Sequence, residues 1–282
     1  MAKLPSRPAF HVAPEVLRGS IARTEETVAK ALAARPWVPA NLRGLHLLTL
    51  SNAALRASID LGDPGIAVDL ERVACMGAAL FGGLVAGAGQ TIEAPLPGGG
   101  QTVEVTGSAP DSRVGEPGYW REALLAALTV RKTRAVSMLA EVPLALLRAL
   151  GPTHDEWTFL EYEALQAVAL GRPDAPVRLL AAAKAANPET VHEIVRDRVL
   201  DVVTPELQLA FKAIDRDQAG FDTWMIVAIE GHHHYFQRNA LNKKQPTSQL
   251  ALAPLAMACV AHDLGIRTNV TTDYLPRHII EP

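Results

Sequence analysis

The sequence predicts a mainly α-helical fold, a helical bundle or a TPR-like helical array, carrying one small β-hairpin. Three observations carry that expectation. Hydrophobic residues make up 49% of the 282 residues and aromatics only 5%, with alanine and leucine dominant, a composition of closely packed helices. Apolar residues recur at helical spacing in segment after segment, with prolines and glycines between them. One stretch alone breaks that rhythm: TIEAPL and QTVEVT flank Pro97-Gly98-Gly99-Gly100 and alternate as strands do.

In chain order, Pro14 opens EVLRGSIARTEETVAKALAA, where Val16, Ile21, Val28 and Leu32 mark a stripe and Ala34-Arg35-Pro36 the stop. Asn41–Leu61 is the second helix, with Asn41 as its cap, Gly62-Asp63-Pro64-Gly65 as its end and His46 partly buried among leucines. Ala67–Gly89 is nearly free of charge after Arg72. Its Ala74, Gly77, Ala78, Gly82 and Gly83 let another helix come close, so it reads as the central packing helix. Its GGLVAGAG lacks the lysine of a phosphate-binding loop.

Thr91–Thr106 is the hairpin, and Gly107–Gly118 an exposed loop or hinge. Helical character returns from Tyr119 to Val142, then Pro143 and LALLRAL follow. Arg131, Lys132 and Arg134 form the strongest basic cluster, read as a solvated helix face. Asp155 caps the next helix, with Trp157, Leu160, Leu165 and Val168 inward and Glu156, Glu161 and Glu163 outward. Asp174–Ala186 and Pro188–Val203 are shorter helices, and Thr204-Pro205-Glu206 has the residues of a fresh helix start. Repeated short helices fit a TPR-like array, but a strict consensus of about 34 residues is absent, so a continuous bundle stands beside it. The chain is expected to form a single elongated domain, 1–282, subdivided as 1–118 and 119–282.

Chemistry-bearing residues concentrate in Phe221–Phe236, FDTWMIVAIEGHHHYF. On a helix Phe221, Met225, Ala228, Ile229, His232 and Phe236 share one side, so His232 points inward. His233 and His234 are turned from it by about 100° and 200°, and one rigid helix cannot bring all three imidazoles to one ion. Glu230 stands one turn before His234, as an i,i+4 polar pair. His262-Asp263 lies near the end of Leu250–Leu264, and Gly265 stops that helix. Glu230, His233, His234, His262 and Asp263 thus form the candidate polar functional surface.

No cofactor motif is present. Cys75 and Cys259 lie apart in apolar runs, without zinc or redox spacing. A net charge of −3 and a pI near 6.3 give no global basic field for nucleic acid. MAKLPSRPAF has no apolar core of signal-peptide length and no stretch is membrane-spanning, so the expected location is cytoplasmic.

LALAPLAMACVAHDLGIRTNVTTDYLPRHII, residues 250–280, resembles the C-terminal region of the immunity protein 49 (Imm49) family of bacterial polymorphic-toxin systems. Pro254-Leu255-Ala256, Ala258-Cys259 through Asp263, Gly265 and Asp273-Tyr274-Leu275-Pro276-Arg277-His278 carry it. HHHYF and the upstream VPLALLRAL also look like parts of that family, and the resemblance covers roughly Trp120 to the end. It implies a helical, non-enzymatic antidote that binds a cognate secreted or contact-delivered toxin. Such a protein needs a complementary surface with buried anchors and a polar rim rather than a reactive side chain. Two other classes stand against it: a metal-dependent hydrolase built on the candidate polar residues, and a helical scaffold for a host-cell complex. The tail from Asp273 to His278 is expected to fold back as a clasp, because Tyr274, Leu275, Ile279 and Ile280 are too apolar to hang in water.

Overall fold

A computed structural model describes residues 4–282, and the fold is mainly α with one antiparallel hairpin. The chain forms two compact units, one of residues 12–56 and 63–154, the other of 57–62, 155–282 and the described part of 1–11.

In the first unit, α1 (Pro14–Ala33), α2 (Pro39–Ile59) and α3 (Gly65–Ala86) precede β1 (Thr91–Pro95) and β2 (Thr102–Thr106). They are followed by α4 (Pro117–Thr129), α5 (Thr133–Ala140) and α6 (Leu144–Leu150). Helix α1 buries Leu17, Ile21 and Val28, so its stripe starts at Leu17; Val16 faces out. Helix α2 begins at Pro39, which leaves Asn41 within the first turn rather than at the cap. Helix α3 is buried nearly all round, as a helix apolar on every face must be. Its small residues set the approach distances: a Cβ on Gly77 would overlap that of Ala123 on α4, and one on Gly82 would run into Ile92 and Met138.

The hairpin pairs Thr91 with Thr106 and Pro95 with Thr102, and turns Ala94, Val103 and Val105 inward against α3. Trp37 extends it, its N–H donating to the Glu104 carbonyl at 3.2 Å and its carbonyl accepting from Thr106 N–H at 2.9 Å. An isolated two-stranded ribbon is marginal in water, and this packing supplies what it lacks. The Gly107–Gly118 segment is only partly an exposed loop. Gly107 and Gly115 are buried, and Gly107 N–H donates to Gln90 O at 2.7 Å.

The helix expected over Tyr119–Val142 is broken after Thr129. Arg131 takes the left-handed conformation (φ 56°), Lys132 N–H donates to Ala127 O at 3.0 Å and Arg131 N–H to Leu128 O at 3.2 Å, a Schellman closure with arginine where glycine is usual. The basic cluster is therefore not a solvated helix face. Lys132 Nζ lies 2.5 Å from Glu71 Oε1 and 2.9 Å from Gly99 O, and Arg134 donates to Glu93 O, so Lys132 fastens the hairpin turn to α3 and Arg134 ties β1 to α5. A buried ion network holds the same end of α3, two residues before Glu71: the Asp69 carboxylate accepts from Arg56 Nε at 2.8 Å, Asn52 Nδ2 at 3.0 Å and Arg72 Nη1 at 3.0 Å. Burial raises the Asp69 carboxyl above the usual range, and its three donors oppose that rise.

The second unit contains α7 (Glu156–Ala169), α8 (Ala175–Ala185), α9 (Glu193–Arg198), α10 (Thr204–Ile214), α11 (Gln218–Gln237), α12 (Ala240–Lys243), α13 (Leu252–Asp263) and α14 (Arg277–Ile280). Helix α10 packs against α7, α8, α11 and α13, a bundle around one helix rather than an array in which each repeat meets only its neighbours. Asp155 stands at the start of α7 without capping it; its carboxylate accepts from Trp157 Nε1 at 3.2 Å. Glu161 is buried, against the sequence expectation, while Glu163 pairs with Arg178. The Gly265 stop is a Schellman closure, with Ile266 N–H on Ala261 O and Gly265 N–H on His262 O, both at 2.9 Å.

Candidate functional site

The candidate polar surface is built on α11 and the segment that packs behind it. Asp217 caps α11 by accepting from Gly220 N–H at 2.9 Å. Asp222, one turn in, accepts from Asn269 N–H at 3.0 Å, Asn269 Nδ2 at 2.8 Å and Thr268 Oγ1 at 3.3 Å, which ties the helix to the segment after α13. The sequence reading missed this anchor, since nothing local distinguishes Asp222 from a solvated acid.

Behind the histidines the chain departs from regular α-helix. Thr204-Pro205-Glu206 opens α10 as its residues suggest, but Thr204 is already helical and caps nothing: α9 runs through a π-helical stretch, Val199–Val203, straight into α10. Proline at 205 has no N–H to give the carbonyl four residues earlier, that of Asp201, and the wider turn accommodates its ring. The Asp201 carbonyl is turned toward α11, against Gly231, where any Cβ would collide with it. Gly231 therefore lets α11 lie directly on the π-helical turn and fixes the rotation of the three histidines that follow.

That rotation gives them three different environments. His232 is buried, and its Nε2 donates to the Ser248 carbonyl at 3.2 Å, which fixes the tautomer because a carbonyl can only accept. Burial lowers its pKa to about 4 despite the Ser248 bond, so it is a neutral core residue. His233 is half-buried and hydrogen-bonded through Nδ1 to the Tyr274 hydroxyl at 2.8 Å. Burial first and neighbouring His234 second hold His233 below the usual histidine value, and burial pushes Tyr274 up to about 12. His234 is exposed. Beyond it Arg238 bridges Asp197 and Asp201, the latter at 3.0 Å, and burial raises the Asp201 carboxyl in spite of Arg238.

Glu230 is half-buried and forms no ion pair with His234 among the described residues. His262 and Asp263 end α13, with His262 Nδ1 3.5 Å from Asp263 Oδ1. Among the described residues no three His, Cys, Asp or Glu side chains converge to hold a metal ion. Both cysteines are buried and neither is in a disulfide, and burial pushes the Cys75 thiol up to about 12, far from a nucleophile's range. Of the candidate residues, His233 is thus structural, while His234 and Asp263 offer exposed polar groups.

The tail folds back. Tyr274, Leu275, Pro276, Ile279 and Ile280 are buried, α14 packs on α13, and Tyr274 stands edge-on to His232 at 5.2 Å between ring centroids. The chain's start joins the same corner: Arg7 Nη1 donates to Gln249 O at 3.2 Å.

A second surface feature was not foreseen. Asp155, Glu156, Trp157, Ala185, Thr190, Val191 and His192 line an open pocket of about 280 Å³ beside the exposed face of α8. Among the described residues no helix is long and apolar enough to cross a membrane.

No curated protein and no solved structure matches the chain. The family model of immunity protein 49 matches residues 68–279, which extends the likeness upstream of Trp120 to include α3 and the hairpin. With that match running from the first turn of α3 to the buried tail, the chain belongs to the immunity protein 49 (Imm49) family.

Proposed function

We propose that the protein is a cytoplasmic antidote that binds one cognate bacterial toxin, secreted or delivered by contact, and neutralises it by covering a surface of the toxin rather than by chemistry. The observation that carries this reading is the family match over residues 68–279. The fates of the polar residues agree with it: His232, His233 and Asp222 serve the packing of α11, and Asp69 serves that of α3. A rigid scaffold with interaction surfaces is what binding by occlusion requires. The metal-dependent hydrolase reading has no converging ligand set among the described residues. A helical scaffold for a host complex would show itself as a stable partner that is not a toxin.

The test is co-expression with the protein encoded by the adjacent upstream reading frame. That neighbour alone should arrest growth, and this chain should restore it. Arrest without rescue, repeated for every neighbouring toxin candidate, would count against immunity itself.

A further inference from the structure

The outward face of α8 carries exposed aliphatic side chains, with Lys184 near its end as the exposed charge. Val177 is 70% exposed and Leu180 51%, while Ala175, Leu179 and Ala182 on the opposite side supply the core contact. Val177, Ala181 and Ala185 recur at four-residue spacing, so the exposed row runs along the helix into the wall of the 280 Å³ pocket, of which Ala185 is part. On the pocket's other wall His192 accepts from Ile194 N–H at 3.3 Å, and Ile194, at the start of α9, is 84% exposed. Single exposed aliphatics are ordinary. Here three of them, each more than half exposed, lie on the two helices, α8 and α9, that border one pocket through Ala185 and His192.

The pocket's charge says what kind of partner fits. Its lining contains two carboxylates, Asp155 and Glu156, and no lysine or arginine. Trp157 Nε1, from the same lining, donates to the Asp155 carboxylate. The start of α7 favours acidic residues in any case, but it does not account for the aliphatic row leading to them.

We propose that this face docks a basic amphipathic segment of the toxin, its apolar side on Val177, Leu180 and Ile194 and one lysine or arginine side chain entering the pocket between Asp155 and Glu156. The proposal rests on the antidote reading above and adds the surface and the chemistry of what it recognises. Aliphatic anchors beside a charge-complementary pocket match the division of labour at protein interfaces, in which packing sets affinity and charge sets encounter rate and register.

The experiment measures affinity of the full chain, at low and high salt, for the purified toxic domain encoded by the adjacent reading frame. Leu180→Asp and Ile194→Asp should each weaken binding at least about tenfold. Glu156→Lys should weaken it by about three- to tenfold, an effect that shrinks as salt rises. Val85→Asp, at an exposed site on α3, should change nothing. Leu180, Ile194 and Val85 are surface-exposed, so urea midpoints of their variants should stay at the wild-type value, while Glu156→Lys should lose about 0.3–1 kcal/mol at the start of α7, and Ile194→Ala gives a milder second probe. If wild type and Val85→Asp bind and the Leu180, Ile194 and Glu156 variants bind equally well, the docking face is wrong and the antidote reading stands. Dimerisation of the wild type abolished by Leu180→Asp, with toxin affinity unaltered, would overturn the proposal in favour of a second copy as occupant. Wild type that binds no neighbouring toxin removes the antidote reading and this inference with it.

Discussion

The Tyr274 hydroxyl lies 2.8 Å from Nδ1 of His233, so one hydrogen bond joins the C-terminal tail to the middle histidine of α11. Tyr274 is buried, and its ring fills the space beside His232 whether or not the hydroxyl is present. Tyr274→Phe should therefore cost only the bond, about 0.5–1.5 kcal/mol, read as a lower urea midpoint. An unchanged midpoint would mean that water serves His233 equally well.

Gly231 and Gly44 make an internal comparison. Glycine in a helix ordinarily costs about 0.5–1 kcal/mol relative to alanine. At Gly44 a Cβ meets nothing within 4 Å, so Gly44→Ala should stabilise the fold by roughly that amount. At Gly231 the Cβ would collide with the Asp201 carbonyl, which belongs to backbone and cannot swing aside. Gly231→Ala should lose about 2–3 kcal/mol or more by forcing α11 off the π-helical turn. Calorimetric unfolding of the two variants checks both signs, and a neutral Gly231→Ala would show that the close approach is not required.

His232 makes stability depend on pH in a definite direction. Its folded pKa is lowered to about 4 by burial, while in the unfolded chain it takes up a proton near pH 6.5. Unfolding therefore gains a proton between those values, and stability falls as pH drops through that window, by about 3 kcal/mol in all and about 2 kcal/mol between pH 7 and pH 5. Carboxylates titrate in the lower part of the window, so the decisive quantity is the difference between wild type and His232→Gln. The variant is less stable at neutral pH but should lose less on acidification. Parallel pH dependences of the two proteins would contradict the assignment.

Truncation before Asp273 removes Tyr274, Leu275, Ile279 and Ile280 from the core. Burial of even two such side chains contributes roughly 3–6 kcal/mol before ordering costs, so the shortened chain should melt at a markedly lower temperature. Toxin binding should weaken in parallel with the fold. Intact stability with abolished binding would make the tail a recognition element instead.

Some of this was legible in the sequence because it is local. The Pro97–Gly100 turn between alternating residues gives the hairpin, the spacing of Phe221, Met225, Ile229 and His232 gives the inward face of α11, and the apolar tail residues demand cover. What escaped depends on partners distant in sequence or on unusual residues in standard roles. Arg131 closes α4 in a left-handed conformation that sequence assigns to glycine, so periodicity alone carries the helix past it. Thr204-Pro205-Glu206 has the composition of a helix start, yet α11 leaves room at Gly231 for the carbonyl that Pro205 frees, and the helix passes through. Glu161 falls on a face that α7 turns into the core, and periodicity alone put it outside. The apolar outer row of α8 was hidden by an inner row equally apolar.

The most direct test of the central claim is binding and inhibition measured together on purified components. The toxic domain encoded by the adjacent reading frame is titrated with this protein while its toxic activity is followed. The account predicts a saturable complex of sub-micromolar dissociation constant, about 8 kcal/mol or more of binding free energy, with activity falling in step with occupancy and the toxin recovered intact on dissociation. Loss of toxin activity at catalytic amounts of this protein, or tight binding that leaves the activity untouched, would contradict it.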